Sequence, residues 1–146
     1  MLLEDVNSAG SLPVLEAMMR FAAQRQKLLV HNVANLTTPE FEAMDVSVSD
    51  FQRTLASAIE RRRAETGGQR GSLSLQGNDE VVETGGGAFV LRPQTPAEGI
   101  RFKDGASRSL EKQMQALAEN ASVFRAASDL WRQQHDLIRS AIAQRV

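Results

Sequence analysis

Residues 109–144 read SLEKQMQALAENASVFRAASDLWRQQHDLIRSAIAQ. Within this run Leu110, Met114, Leu117, Ala121, Phe124, Ser128, Trp131, His135, Ile138 and Ile142 alternate steps of four and three, and eight of the ten are apolar. Such spacing places them along one seam of an α-helix. A second seam runs beside it through Ala116, Val123, Ala127, Leu130, Leu137 and Ala141, with Asn120 and Gln134 at its polar steps. With Ser109 as N-cap the helix extends to Gln144, about 36 residues or roughly 54 Å. Two apolar stripes on one helix call for partners on two sides.

The N-terminal third offers one partner. Ser11 is placed to cap a helix, and Pro13 falls in the first turn, where a missing amide hydrogen costs nothing. Leu12, Leu15, Met19, Ala22, Gln26, Leu29, Val33 and Leu36 again step by three and four, with only Gln26 polar. The helix must end before Thr38, because Pro39 biases its predecessor toward extended backbone, and Asn32 or Asn35 can take a left-handed cap. That gives about 24 residues, roughly 36 Å. The two long helices are expected to pair as an antiparallel, coiled-coil-like hairpin. The shorter cannot cover the longer, so the surplus apolar surface requires other copies or other proteins.

Between them, Ser49-Asp50-Phe51-Gln52 reads as a capping box opening a short third helix through Phe51, Leu55 and Ile59, fraying near Arg63. Nine of the ten glycines then fall between Gly67 and Gly105. Inside that loose middle, Val81–Thr84 and Ala88–Leu91 flank Gly85-Gly86-Gly87 and can form a small β-hairpin, marginal if isolated. The expected class is mostly α. Its division is an N-terminal tail (1–11), a helix, corner and short helix (12–65), a flexible glycine-rich middle (66–108) and an assembly helix (109–146).

Composition narrows function. The chain of 146 residues carries 17 Lys plus Arg against 18 Asp plus Glu, a balance that argues against duplex nucleic acid as a partner. Nineteen of the hydrophobic residues are alanine, which buries little area, so a large single core is not expected. Zero cysteines remove disulfides, thiolate catalysis and cysteine zinc sites. Met1-Leu2-Leu3-Glu4-Asp5 lacks the basic and apolar regions of a secretory signal, and no run approaches the ~20 apolar residues of a membrane span.

Nothing assembles a catalytic set. His31 and His135 lie far apart with no third ligand beside them, and His135 sits on the apolar seam as an interface residue. The glycine triplet lacks the Lys-Ser or Lys-Thr of a phosphate loop and reads as a turn. Arg61-Arg62-Arg63, flanked by Glu60 and Glu65, reads as a solvated helix end. The reading is of no enzyme, no cofactor, no metal and no small-molecule substrate.

The segment from Arg25 to Asp45, RQKLLVHNVANLTTPEFEAMD, describes a helix stopped sharply and a chain turned back over it, with Phe41 plugging the end. It resembles the N-terminal signature of the bacterial flagellar axial proteins, the rod and hook family, through Asn32, Ala34, Asn35, Thr38, Pro39 and Phe41. Arg25-Gln26 and Ala43-x-Asp45 match as well. The stretch from Asp104-Gly105 through Leu110-Glu111, Met114 and Leu117–Ala121 resembles the proximal rod members in particular, as does the length. Glu40 stands where the family usually has glycine. Glutamate resists positive φ, so a type I turn with Glu40 at negative φ is expected.

The resemblance implies a structural subunit of the basal-body rod, located in the periplasm and exported by the flagellar export apparatus without a cleaved signal. It implies a homo-oligomer within a hetero-oligomeric rod, touching other rod proteins and the membrane-ring junction protein. Its terminal helices would polymerise into a torque-transmitting driveshaft. The assembly residues expected are Leu15, Met19, Leu29, Asn32, Val33, Asn35, Thr38, Pro39 and Phe41 at one end, and Leu110, Met114, Leu117, Ala121, Phe124, Trp131, Ile138 and Ile142 at the other. The competing reading is a soluble helical adaptor or export chaperone, which shares the seams but has no need of the Asn-Thr-Pro corner.

Overall fold

A computed structural model describes residues 10–68, 70–96 and 106–144. The tail 1–9 and residues 97–105, including Asp104 and Gly105, lie outside the described residues. Among the described residues three helices carry the fold: α1 (Leu12–Ala34), α2 (Val48–Thr66) and α3 (Ala106–Ala143). Four short strands stand between them: β1 (Met44–Asp45), β2 (Val81–Gly85), β3 (Ala88–Leu91) and β4 (Thr95–Pro96). The helical class and the pairing of the two long terminal helices are as expected from the seams.

The pairing is antiparallel. Asn120 of α3 donates to the Ala22 carbonyl and to Gln26 Oε1, each at 2.8 Å, while Ser128, further along α3, reaches back to Met19. The polar step at Gln26 in the α1 seam thus exists to meet Asn120. At 38 residues against 23, α3 is 15 residues longer than α1, a difference of roughly 22 Å at the usual helical rise.

On its other side α1 packs against α2 and the β2–β3 hairpin. Phe21 and Phe51 stack with centroids 3.9 Å apart, and Phe89 of β3 lies 5.8 Å from Phe51. Ala17, Val46, Leu55, Ala58, Leu73, Leu75 and Val81 complete this core. Leu73, Leu75, Val81 and Phe89 all come from the glycine-rich middle. An isolated two-stranded ribbon is marginal; this one is held because its Val81 and Phe89 enter the core. Gln24 of α1 also treats β3 as another strand would, donating to the Phe89 carbonyl and accepting from the Leu91 amide, both at 2.9 Å.

Several local expectations need correction. The cap of α2 is Ser47, whose hydroxyl accepts from the Asp50 amide, so the helix starts at Val48 and not after a box at Ser49. It runs past Arg63 to Thr66 and ends on Gly67 at φ 69°, where a left-handed residue without Cβ closes the last turn. Helix α3 begins at Ala106, so Ser109 is inside it and not its cap. Ser11 precedes α1 without a side-chain capping bond, and Asn35 ends it at φ −105°, outside the left-handed region.

The largest correction is at Glu40, the one non-glycine residue with positive φ among the described residues, at 60°. The Phe41 amide bonds the Thr38 carbonyl at 3.2 Å, closing a turn with Pro39 at its second position and Glu40 at its third. Positive φ at the third position defines a type II turn, not the expected type I. Tertiary restraints on both sides, described next, fix the chain's path and override the local preference of glutamate.

Candidate assembly surface

The corner is built from α1 outward. Asn32, only 1% exposed, sits in the last turns of α1. Its Nδ2 donates to the Met44 carbonyl at 2.8 Å and its Oδ1 accepts from the Met44 amide at 3.3 Å. Met44 pairs across the ladder with Pro96, which has no amide hydrogen, so the asparagine provides a donor that this strand partner lacks. Seven residues earlier, Arg25 forms a two-pronged ion pair with Asp45 at 2.9 and 2.6 Å, largely shielded from solvent. Planar guanidinium and carboxylate suit each other in this geometry. Two successive residues of the returning strand are thereby pinned to α1.

Asn35 covers the helix end. Its side chain donates to the His31 carbonyl at 2.9 Å, and the Thr38 amide bonds the Asn35 carbonyl at 2.9 Å. Phe41 meets the His31 ring edge-on, centroids 5.5 Å apart. Asn32, Asn35, Thr38 and Phe41, singled out from sequence together with Arg25 and Asp45, are therefore one connected structure. Thr38, Pro39 and Glu40 stay exposed at its tip.

Among the described side chains of α3 the buried positions are Gln113, Asn120 and Ala127, at seven-residue spacing, with Leu117, Ala121, Trp131 and Ile138 half-buried. The face against α1 is thus where the two seams read from sequence adjoin, Asn120 and Ala127 coming from the second and Leu117, Ala121, Trp131 and Ile138 from the first. Leu15 and Leu29 of α1 are buried, and Met19 and Val33 half-buried. Either side of the packed strip, α3 is uncovered: Leu110, Met114, Phe124 and Ile142 on one flank, Val123, Leu130 and Leu137 on the other. Phe124 is 40% exposed and Leu137 58%. Trp131 stacks on His135 at 5.1 Å, which occupies the imidazole as a packing surface. Where α1, α2 and α3 meet, a groove of about 280 Å³ is lined by Met18, Phe21, Val48, Phe51 and Leu55, with exposed Val123 at its margin.

Sequence reasoning missed Gln24, Gln113 and the pairing of Arg25 with Asp45. Gln113 is 3% exposed and its Oε1 has no hydrogen-bond partner. Burial lowers the pKa of Arg62, whose guanidinium donates to the Gly10 and Arg70 carbonyls. No group of three His, Cys, Asp or Glu side chains that could hold a metal occurs among the described residues. Asp50, Asp79 and Glu80 border an open polar hollow, in which the Glu80 carboxylate accepts from the Ser47 and Gln94 amides. No described helix is long and apolar enough to cross a membrane.

Fold and surface together define an elongated helical-hairpin protein with more apolar helix surface than one copy covers. Two named relatives are similar to this chain in sequence. The flagellar basal body rod protein FlgB of Salmonella typhimurium (strain LT2) is 29% identical over 114 residues, 73% of this chain and 79% of that protein. The flagellar basal body rod protein FlgB of Yersinia enterocolitica is 39% identical over 66 residues, 45% of this chain and 44% of that protein. The resemblance to rod members of the flagellar axial family, read from both ends of the sequence, is borne out by these matches. No family model and no solved structure matches the chain.

Proposed function

We propose that this chain is a structural subunit of the flagellar basal-body rod that polymerises through its terminal helices into the periplasmic driveshaft and carries torque. The observation that carries the reading is the pair of uncovered apolar flanks on α3. Apolar side chains at four-and-three or seven-residue spacing are satisfied by another helix, and α1 already occupies the strip between them. Contacts on two different flanks are heterologous, and heterologous contacts that do not close into a ring build helical assemblies. The pinned corner fits the same role, because a rigid turn at the end of α1 fixes how one subunit meets its neighbours. The named rod relatives support a basal-body location and association with other rod components; contacts with the membrane-ring junction and with the flagellar export apparatus are part of the proposal.

Deleting the gene in its own bacterium and complementing with the wild-type chain tests the proposal. The expected result is loss of motility with basal bodies that lack a rod, restored by the complementing gene. Intact rods in the deletion strain, with export of other axial proteins impaired, would favour the chaperone reading instead.

A further inference from the structure

The groove where α1, α2 and α3 meet has an entrance that the chain itself supplies. Arg62 donates to the Gly10 carbonyl at 2.6 Å, which fixes the first described residue against the end of α2. From Arg62, Leu55, Phe51 and Val48 follow along α2 at steps of seven, four and three, and along α1 Val14, Met18 and Phe21 follow at steps of four and three. Such steps keep each set on one face of its helix. Both lines lead into the groove, whose walls include Met18, Phe21, Val48, Phe51 and Leu55. Its centre lies about 10–12 Å from Gly10 by either route, Leu55 standing seven residues from Arg62 and Met18 eight from Gly10, at the usual helical rise.

The form of the groove selects its occupant. At about 280 Å³ it is too small for a neighbour's helix, which is about 10–12 Å across with its side chains, and it suits a few apolar side chains from an extended segment. Residues 1–9 run up to Gly10 and open with Met1-Leu2-Leu3-Glu4-Asp5. Leu3 stands seven residues before Gly10, a reach of up to about 23 Å, enough to turn back and span the distance to the groove. The order of residues matches that path. A segment laid back along α2 brings Glu4 and Asp5 to Arg62, a cation only 6% exposed at the entrance, where burial favours an opposite charge. The same path carries Leu2 and Leu3, farther from Gly10, to the apolar walls.

We infer that residues 1–9 fold back on their own subunit, with Glu4 and Asp5 beside Arg62 and the Leu2 and Leu3 side chains in the groove against Met18, Phe51 and Val123. This goes beyond the rod reading and does not rest on it, since the contact lies within one copy. Val123, 45% exposed at the margin of the groove, is covered by the tail, while Phe124, Leu130 and Leu137 stay available to neighbours. The two flanks of α3 then differ in kind. One is bare, and the other is partly sealed by the chain's own N-terminal segment, so that a neighbour on that side packs against tail as well as helix.

Disulfide trapping in the full-length chain tests the contact, because zero cysteines leave no background. Leu3→Cys with Val123→Cys should close within one molecule on mild oxidation, giving a monomeric product whose yield is independent of protein concentration. Leu3→Cys with Val90→Cys should not, since Val90 is exposed on β3, on the far side of α1 from α3. Maleimide labelling of Val123→Cys alone gives a second readout. It should quicken about three- to tenfold when Leu2→Asp and Leu3→Asp are added, the opening expected from burial of roughly one leucine net of ordering the tail. Glu4→Lys with Asp5→Lys should quicken it as well, through repulsion from Arg62, and labelling of Phe124→Cys should respond to neither pair. Bond yield at Val90 equal to that at Val123 would overturn the inference, as would Val123 labelling indifferent to the tail substitutions. Disulfides that form only between molecules would overturn it too, by making the occupant a second copy. None of these results bears on the rod reading, in which residues 2–5 have no part.

Discussion

Replacing Asn32 examines the corner most sharply. The side chain is buried and makes both of its Met44 contacts through one amide. Asn32→Ala removes a donor and an acceptor from buried backbone groups, each costing about 1–3 kcal/mol when left unmade. With part of that relieved by solvent at the nearby tip, a loss of about 2–4 kcal/mol is expected. For a chain of this size that corresponds to a fall in Tm of roughly 6–15 °C. Asn32→Asp is nearly isosteric and separates hydrogen bonding from packing. One carboxyl oxygen would face the Met44 carbonyl, and only the protonated acid can donate to it. Burial and that carbonyl both raise the folded-state pKa of the new acid above its unfolded value near 3.9. The native state then binds the proton more tightly than the unfolded state, so the variant is close to wild type below the unfolded pKa. It loses stability as pH rises through the folded pKa. Thermal melts followed by circular dichroism from about pH 4 to 8 measure both effects. An Asn32→Ala variant within 1 kcal/mol of wild type, or an Asn32→Asp variant whose deficit is flat with pH, would refute the clamp.

Five further outcomes follow from the contacts described. Glu40→Gly relieves the left-handed strain and should stabilise the chain by about 1 kcal/mol, read as a higher Tm. Gln113→Leu removes a buried oxygen that has no partner and should stabilise by about 1–2 kcal/mol in a urea titration. Phe51→Ala opens the stack between Phe21 and Phe89 and should cost about 3–5 kcal/mol. Phe124→Asp, on an exposed flank, should leave the monomer's Tm within a few degrees, at ~1 kcal/mol or less, yet abolish motility in cells without preventing export. Leu117→Asp, half-buried against α1, should impair both folding and assembly.

How far the molecule could be read in advance depended on the range of the interactions. Helices α1 and α3 were legible because their signal is local and periodic. Their antiparallel pairing followed from length and seam. The face of α3 that packs was not legible: Asn120 read as a polar step of the second seam and Gln113 belonged to neither seam, whereas both are buried in the packed face and Asn120 bonds across to Ala22 and Gln26. Ser47 was missed as the cap of α2 although Ser47-x-x-Asp50 carried the signal, because Ser49 fitted the same template. Glu40 was read from its own preference. Its actual conformation is set by the anchoring of Met44 and Asp45 downstream, through Asn32 and Arg25 of α1, and by Pro39 before it, which no local rule weighs. The corner residues were recognisable as a set only through the family signature; that Arg25 reaches Asp45 and that Asn32 reaches Met44 are facts of the fold.

The central claim is that α3 carries apolar flanks uncovered in the subunit and covered by neighbours in the rod. The chain has zero cysteines, so single substitutions Phe124→Cys and Leu130→Cys give one thiol each, one per flank. Maleimide labelling of purified subunit and of isolated basal bodies measures exposure directly in the two states. The account predicts rapid labelling of both positions in the free subunit and protection of both in the assembled rod. Equal labelling in the two states, in strains that remain motile, would contradict it.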